Sequence, residues 1–132
     1  MVNEGILDIN WSGKSILIVE DEELNYLFLE TLLSATQAKV FHAWNGKQAV
    51  DQIKKDPENI DLILMDIKMP IMDGYQATKE IKVLCPSLPI IAQTAYTLGD
   101  DRGKSIAAGC EDFLTKPIRK KELLSIIVKY LS

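Results

Sequence analysis

Residues 61–74 read D-L-I-L-M-D-I-K-M-P-I-M-D-G, and the unbroken apolar run Leu62, Ile63, Leu64 and Met65 decides the architecture. A strand with one wet face alternates apolar and polar residues, whereas a run that is apolar at every position is covered on both faces. With this central strand taken as Asp61–Met65, similar short runs recur at Ser15–Val19, Lys39–Ala43, Pro89–Gln93 and Glu111–Thr115. Helical spacing of apolar residues fills the intervals, over Glu22–Leu33, Lys47–Lys55, Tyr75–Leu84, Asp100–Ala108 and Lys120–Leu131. Asn45-Gly46 and Asp73-Gly74 mark helix starts, and Cys85-Pro86 and Gly109 mark helix ends. The reading is an α/β fold: a parallel sheet between two helical layers, built from five βα units.

Length and charge narrow the class. A chain of 132 residues is one domain by size. Its 15 basic against 19 acidic residues give a net charge of −4, without the basic excess that nucleic acid or an anionic membrane surface would attract. Cys85 and Cys110 lack Cys-x-x-Cys spacing and read as two buried thiols in a reducing compartment. The longest aliphatic runs are four residues, far short of a membrane span of about 20. With no basic start followed by an apolar stretch, the expected location is the cytoplasm, or the cytoplasmic portion of a membrane-bound protein. Residues 1–13 read as a leader and 14–132 as the domain, with no effector domain expected after the last helix.

In open parallel sheets, chemistry gathers at the carboxyl ends of the strands. The first strand runs into Glu20-Asp21, the third into Asp66, the fourth into Thr94 and the fifth into Lys116-Pro117. Singly these read as a helix-start acid pair, a turn residue, a strand-end hydroxyl and a solvated lysine. Together, at four strand ends of one sheet, they form a constellation. Converging carboxylates repel unless a proton or a cation relieves them, and oxygen ligands without His or Cys favour Mg²⁺, with Mn²⁺ as substitute. Lys116 and Thr94 are the two kinds of group that hold phosphoryl oxygens, and Asp66, central in the sheet, is the candidate acceptor of a phosphoryl group.

The motifs I-L-I-V-E-D-E-E (16–23), L-M-D-I-K-M-P-I-M-D-G (64–74), Q-T-A-Y (93–96) and G-C-E-D-F-L-T-K-P-I (109–118) resemble those of response regulator receiver domains. The resemblance covers nearly the whole chain from about residue 14. It implies a flavodoxin-like doubly wound sheet of order 2-1-3-4-5. It makes Asp66 the phosphoacceptor, Asp21 the principal metal ligand, Glu20 a ligand through metal-bound water, and the backbone carbonyl of Lys68 a further ligand. It assigns Thr94 and Lys116 to the phosphate, makes Phe113 the aromatic that responds to Thr94, and places a cis peptide at Lys116-Pro117. Two departures stand out: Glu20 replaces an Asp common in the family, and Lys68 puts a cation beside the acceptor.

The expected partner is a sensor histidine kinase or a histidine phosphotransfer protein, with homodimerisation on phosphorylation a further expectation. The opening W-S-G-K-S and the missing output domain are similar to receivers appended to hybrid histidine kinases; the alternative is a stand-alone single-domain response regulator. Such a module assists its own phosphorylation and dephosphorylation without being a turnover enzyme. An aspartate-nucleophile phosphatase ranks below it, because that class needs an acid at the position of Lys68. The first helix carries more apolar residues than one buried stripe needs. Taking Phe28, Leu29 and Leu32 as sheet-facing leaves Leu24 and Leu27, together with Pro117, as candidate partner contacts. His42 reads as a residue that packs or caps an edge, away from the acids, with neither general-base nor metal duty.

Overall fold

The structure is a computed structural model that describes residues 9–69, 71–95 and 101–131. Residues 1–8 of the expected leader, Pro70 and Tyr96 of the quoted motifs, and Asp100 at the expected start of the fourth helix lie outside the described residues. In chain order the elements are β1 (Ser15–Val19), α1 (Glu23–Ser34), β2 (Lys39–Ala43), α2 (Gly46–Lys55), β3 (Leu62–Asp66), α3 (Gly74–Leu84), β4 (Ile90–Ala95), α4 (Asp101–Ala108), β5 (Asp112–Lys116) and α5 (Lys120–Tyr130). The five strands are parallel in the order β2-β1-β3-β4-β5, as the resemblance implied.

β1 and β3 are buried at all five positions, which is what their unbroken apolar runs demand. Alternation along each strand feeds two cores. Leu17, Val19, Ile63, Met65, Ile90 and Ala92 pack under α2 and α3. Ile16, Ile18, Leu62, Leu64, Ile91 and Leu114 pack under α1 and α5. Trp11, within the segment read as leader, is 5% exposed and belongs to this second core, so the packed unit extends back at least to that residue. Cys110 is buried as expected, but Cys85 is only half-buried because it caps the carboxyl end of α3.

Two expectations are corrected. Strands three to five run on to include Asp66, Thr94 and Lys116, since the ladder continues through Asp66 opposite Gln93 and Ala95 opposite Lys116. The polar residues were read as stops, but the backbone pairing does not end where the apolar run does. In α1 the side chains buried on the sheet are Leu29 and Leu33, while Phe28 is 50% exposed and Leu32 half-buried. The helix offers apolar residues on more than one face, and spacing alone does not choose between them.

The loop from β3 to α3 closes tightly under the central strand. Asp73 caps α3 by accepting from the Gln76 N–H at 2.9 Å, and the Gly74 N–H donates to Ile67 O at 2.9 Å. A Cβ at Gly74 would lie 2.4 Å from the backbone oxygen of Asp66 and 2.8 Å from Ile67 Cα, so only glycine fits there without backbone movement. Gly74→Ala is therefore expected to destabilise the fold by roughly 1–3 kcal/mol, as overpacking does. Ser125→Ala on the exposed face of α5 should stay within about 0.5 kcal/mol of wild type. Urea denaturation compares the two; equal midpoints would show that the loop can yield.

Candidate functional site

Two strands deliver the acids to one place, β1 through Glu20 and Asp21 just past its end and β3 through Asp66. One carboxylate oxygen from each of Glu20, Asp21 and Asp66 lies within 4.8 Å of the others. Asp66 ends the central strand and is 4% exposed; Glu20, one residue past β1, is 1% exposed; Asp21 is half-buried. Lys116 enters from the end of β5 with Nζ 3.3 Å from Asp66 Oδ1 and 4.0 Å from Glu20 Oε1. The Lys116-Pro117 peptide is cis. These groups surround a cavity of about 200 Å³ that Lys68 and Thr94 also line. The structure thus brings together Glu20, Asp21, Asp66, Lys68, Thr94 and Lys116.

Glu20 is fixed from several directions. Its N–H donates to Ala43 O at 3.0 Å, and its side-chain Oε2 accepts from the Glu22 N–H at 3.1 Å. Its carbonyl lies 2.9 Å from Nε2 of His42, whose ring stacks on Tyr26 at 3.8 Å and leans on Trp44 at 4.2 Å. His42 therefore holds the backbone of an acid rather than standing apart, because β2 pairs with β1 in register at Ile18. The sequence did not disclose this cross-strand role.

Burial raises the proton affinity of both inner carboxyls. Desolvation, followed by the charge of Asp66, pushes Glu20 up to about 7, with the Glu22 N–H and Lys116 pulling the other way. Desolvation also pushes Asp66 up; Lys116 opposes this and Asp21 adds to it. Two buried acids with raised proton affinity beside a third suit a hard divalent cation, with oxygen donors and no nitrogen or sulfur. Oε1 of Glu20 is buried without a hydrogen-bond partner, a free acceptor that fits such an ion or its bound water.

Thr94 is buried on β4, and its Oγ1 lies 3.5 Å from Leu114 O as donor. Phe113 is half-buried against the core under α2 and α3, opposite Ala92 on β4. Leu24 and Leu27 of α1 are 81% and 41% exposed, and Pro117 is exposed. A second cavity of about 420 Å³ adjoins the acids between Phe28 and Leu29 on one side and Pro117 and Ile118 on the other. Neither Leu24 nor Leu27 lines it, whereas Pro117 and the unexpected Phe28 do. Gln93 and Asn25 line both cavities and were not singled out from the sequence; a polar Gln93 inside the run I-I-A-Q was the available signal.

The site and fold are those of a phosphoacceptor module, and the family comparison agrees. The response regulator receiver domain model matches residues 16–128. The chain belongs to that family and is a receiver domain of two-component signalling. It is 38% identical over 117 residues to the two-component response regulator ORR41 of Oryza sativa subsp. japonica, covering 87% of this chain and 92% of that protein. Other relatives include hybrid signal transduction histidine kinases of Dictyostelium discoideum, of which the chain spans 3% to 7%.

Among solved structures, the receiver domain of the sensor histidine kinase PA1611 from Pseudomonas aeruginosa superposes with TM-score 0.82 at 37% identity, covering 89% of this chain and 97% of that one. That structure has a magnesium ion coordinated in its active-site cleft. The receiver domain of Saccharomyces cerevisiae Ssk1, solved with the histidine phosphotransfer protein Ypd1, superposes with TM-score 0.82 at 29% identity, covering 89% and 88%. Receiver domains as a family bind Mg²⁺ in this cleft and partner with histidine kinases or phosphotransfer proteins. No helix among the described residues is long and apolar enough to cross a membrane.

The raised proton affinity of Asp66 means that its charge opposes folding when no cation is present. Asp66→Asn is expected to raise the melting temperature in chelator by several degrees, the scale of about 1 kcal/mol in a domain of this size. Differential scanning fluorimetry in EDTA checks this; a lower melting temperature would mean that the Lys116 pair outweighs the crowding.

Proposed function

We propose that this receiver takes a phosphoryl group from a phosphohistidine onto Asp66. The observation that carries the reading is the meeting of Glu20, Asp21 and Asp66 within 4.8 Å, with Lys116 at 3.3 Å from the acceptor. In the transfer the P–N bond to the partner's imidazole breaks and a P–O bond to an Asp66 oxygen forms; the imidazole leaves with the electron pair and recovers a proton. Lys116 and the Thr94 hydroxyl supply positive charge and a donor for the phosphoryl oxygens. Asp21, Asp66 and the carbonyl of Lys68 are the residues that would hold Mg²⁺ or Mn²⁺, with Glu20 acting through bound water. When bound, the cation offsets the charge of the acids and of the phosphoryl oxygens.

The added charge on Asp66 acts next on Thr94 and Phe113, and so on the face of α4, β5 and α5. The exposed Leu24, Leu27 and Pro117 are contacts for the phosphodonor, and the exposed Phe28 joins them. Similarity to receivers of sensor and hybrid histidine kinases supports a place in such a kinase. The near-full coverage of the rice regulator supports the stand-alone alternative.

Incubation with acetyl phosphate and Mg²⁺, followed by intact-protein mass spectrometry, tests the reading. Wild type is expected to gain one phosphoryl group, EDTA and Asp66→Ala to abolish the gain, and Lys116→Met to slow it by roughly 10²-fold. Labelling that survives in Asp66→Ala would place the acceptor elsewhere.

A further inference from the structure

Two buried side-chain atoms among the described residues have no hydrogen-bond partner: Oε1 of Glu20, an acceptor, and Nε2 of Gln93, a donor. Both residues are 1% exposed. Both line the same two cavities, the acid pocket and the groove beside it. β3 lies between β1 and β4, so the two residues flank Asp66 on either side, with Gln93 directly opposite Asp66 in the ladder. Alternation puts Glu20 on the face of Ile16 and Ile18, and Gln93 on the face of Ile91, both over the core under α1 and α5. An unpaired buried donor and an unpaired buried acceptor each cost stability, and one link relieves both.

The neighbours that could compete are engaged elsewhere. Asn25 donates through Nδ2 to Glu22 Oε1 at 2.7 Å, and Lys116 Nζ is closer to Asp66 than to Glu20. The other oxygen of the Glu20 carboxylate already accepts from the Glu22 N–H.

We propose that Gln93 is a positioning residue of the metal site: its Nε2–H donates through one water in the shared cavity to Oε1 of Glu20 and locks the carboxylate in rotation. Glu20 has one more methylene than the Asp common at its position, and therefore one more torsion to fix. Pinned at Oε2 by the Glu22 N–H and at Oε1 by Gln93, it still offers a lone pair of Oε1 to metal-bound water. This rests on the metal reading given under Proposed function.

The test is a Mg²⁺ titration followed by Trp44 fluorescence, for wild type, Gln93→Leu, Glu20→Ala and the double variant. Trp44 packs on the ring that holds the Glu20 carbonyl and so reports on this corner. Gln93→Leu keeps the size of the side chain and suits the surrounding apolar layer. It is expected to weaken Mg²⁺ binding roughly tenfold, the usual scale for a group that orients a ligand, with full phosphorylation recovered at saturating Mg²⁺. In the Glu20→Ala background the same change should have no further effect on affinity.

Unchanged affinity in Gln93→Leu, or a loss just as large without Glu20, overturns the proposal. An independent readout uses metal-free protein: the Gln93 side-chain amide protons in an NMR spectrum should exchange slowly in wild type and fast in Glu20→Ala. Slow exchange in both overturns the link. A wild type that binds no Mg²⁺ while the amide remains protected by Glu20 sinks the metal reading and the positioning role, and leaves a structural hydrogen bond.

Discussion

Everything in this molecule is arranged around a cluster of like charges that folding alone would not tolerate. Three carboxylates share a space a few ångströms wide, and two of them are almost wholly buried. Coulomb repulsion and lost hydration both oppose that arrangement. What holds it is the parallel sheet, whose interior strands are buried on both faces and cannot slide without exposing a core. The ammonium of Lys116 compensates only in part, since Glu20 and Asp66 still bind protons more readily than free carboxylates. The site is therefore short of positive charge by construction, a shortage that a bound cation would relieve.

The same constraint explains how carefully Glu20 is held. Its backbone is bonded to β2 through Ala43 and to the His42 ring, and its side chain to the first turn leading into α1. The ring is in turn packed on aromatic neighbours from α1 and from the loop after β2. A carboxylate that repels its neighbours would otherwise rotate away into solvent. Rigid support on several sides converts repulsion into readiness for a metal, which is how a protein prepares a site before its ligand arrives.

How much of this could be read in the chain depends on whether the signal was local. The strands at Ile16–Val19 and Leu62–Met65 were legible because burial on both faces leaves an apolar run with no alternation. Asp21, Asp66, Thr94 and Lys116 were legible because each is polar where such a run ends. Strand order was not; it came from the resemblance, since local patterning does not say which strands are neighbours. The face of α1 was misread at Phe28, because Leu, Phe and Tyr stand on several sides of that helix and only packing against β1 and α5 selects Leu29 and Leu33. His42 reads from the sequence as standing away from the acids and Gln93 draws no reading of its own, because their roles exist only across strands. Nothing near position 42 or 93 in the sequence mentions residue 20.

β4 carries the two halves of the site on its two faces. Ile91 belongs to the core under α1 and α5, and alternation puts Gln93 on that same side, while Ile90 and Ala92 belong to the core under α2 and α3, with Thr94 following them. Phe113, opposite Ala92, packs against the core under α2 and α3 too. On the proposed reading, charge added at Asp66 meets Gln93 and Lys116 on one face of the sheet and Thr94 on the other. A strand whose residues alternate between two layers cannot shift toward the phosphoryl group on one side without disturbing the packing on the opposite side. The connection between the acceptor and Phe113 then needs no long chain of contacts; the pleat of a single strand, pinned by Asp66 on one edge and Lys116 on the other, supplies it.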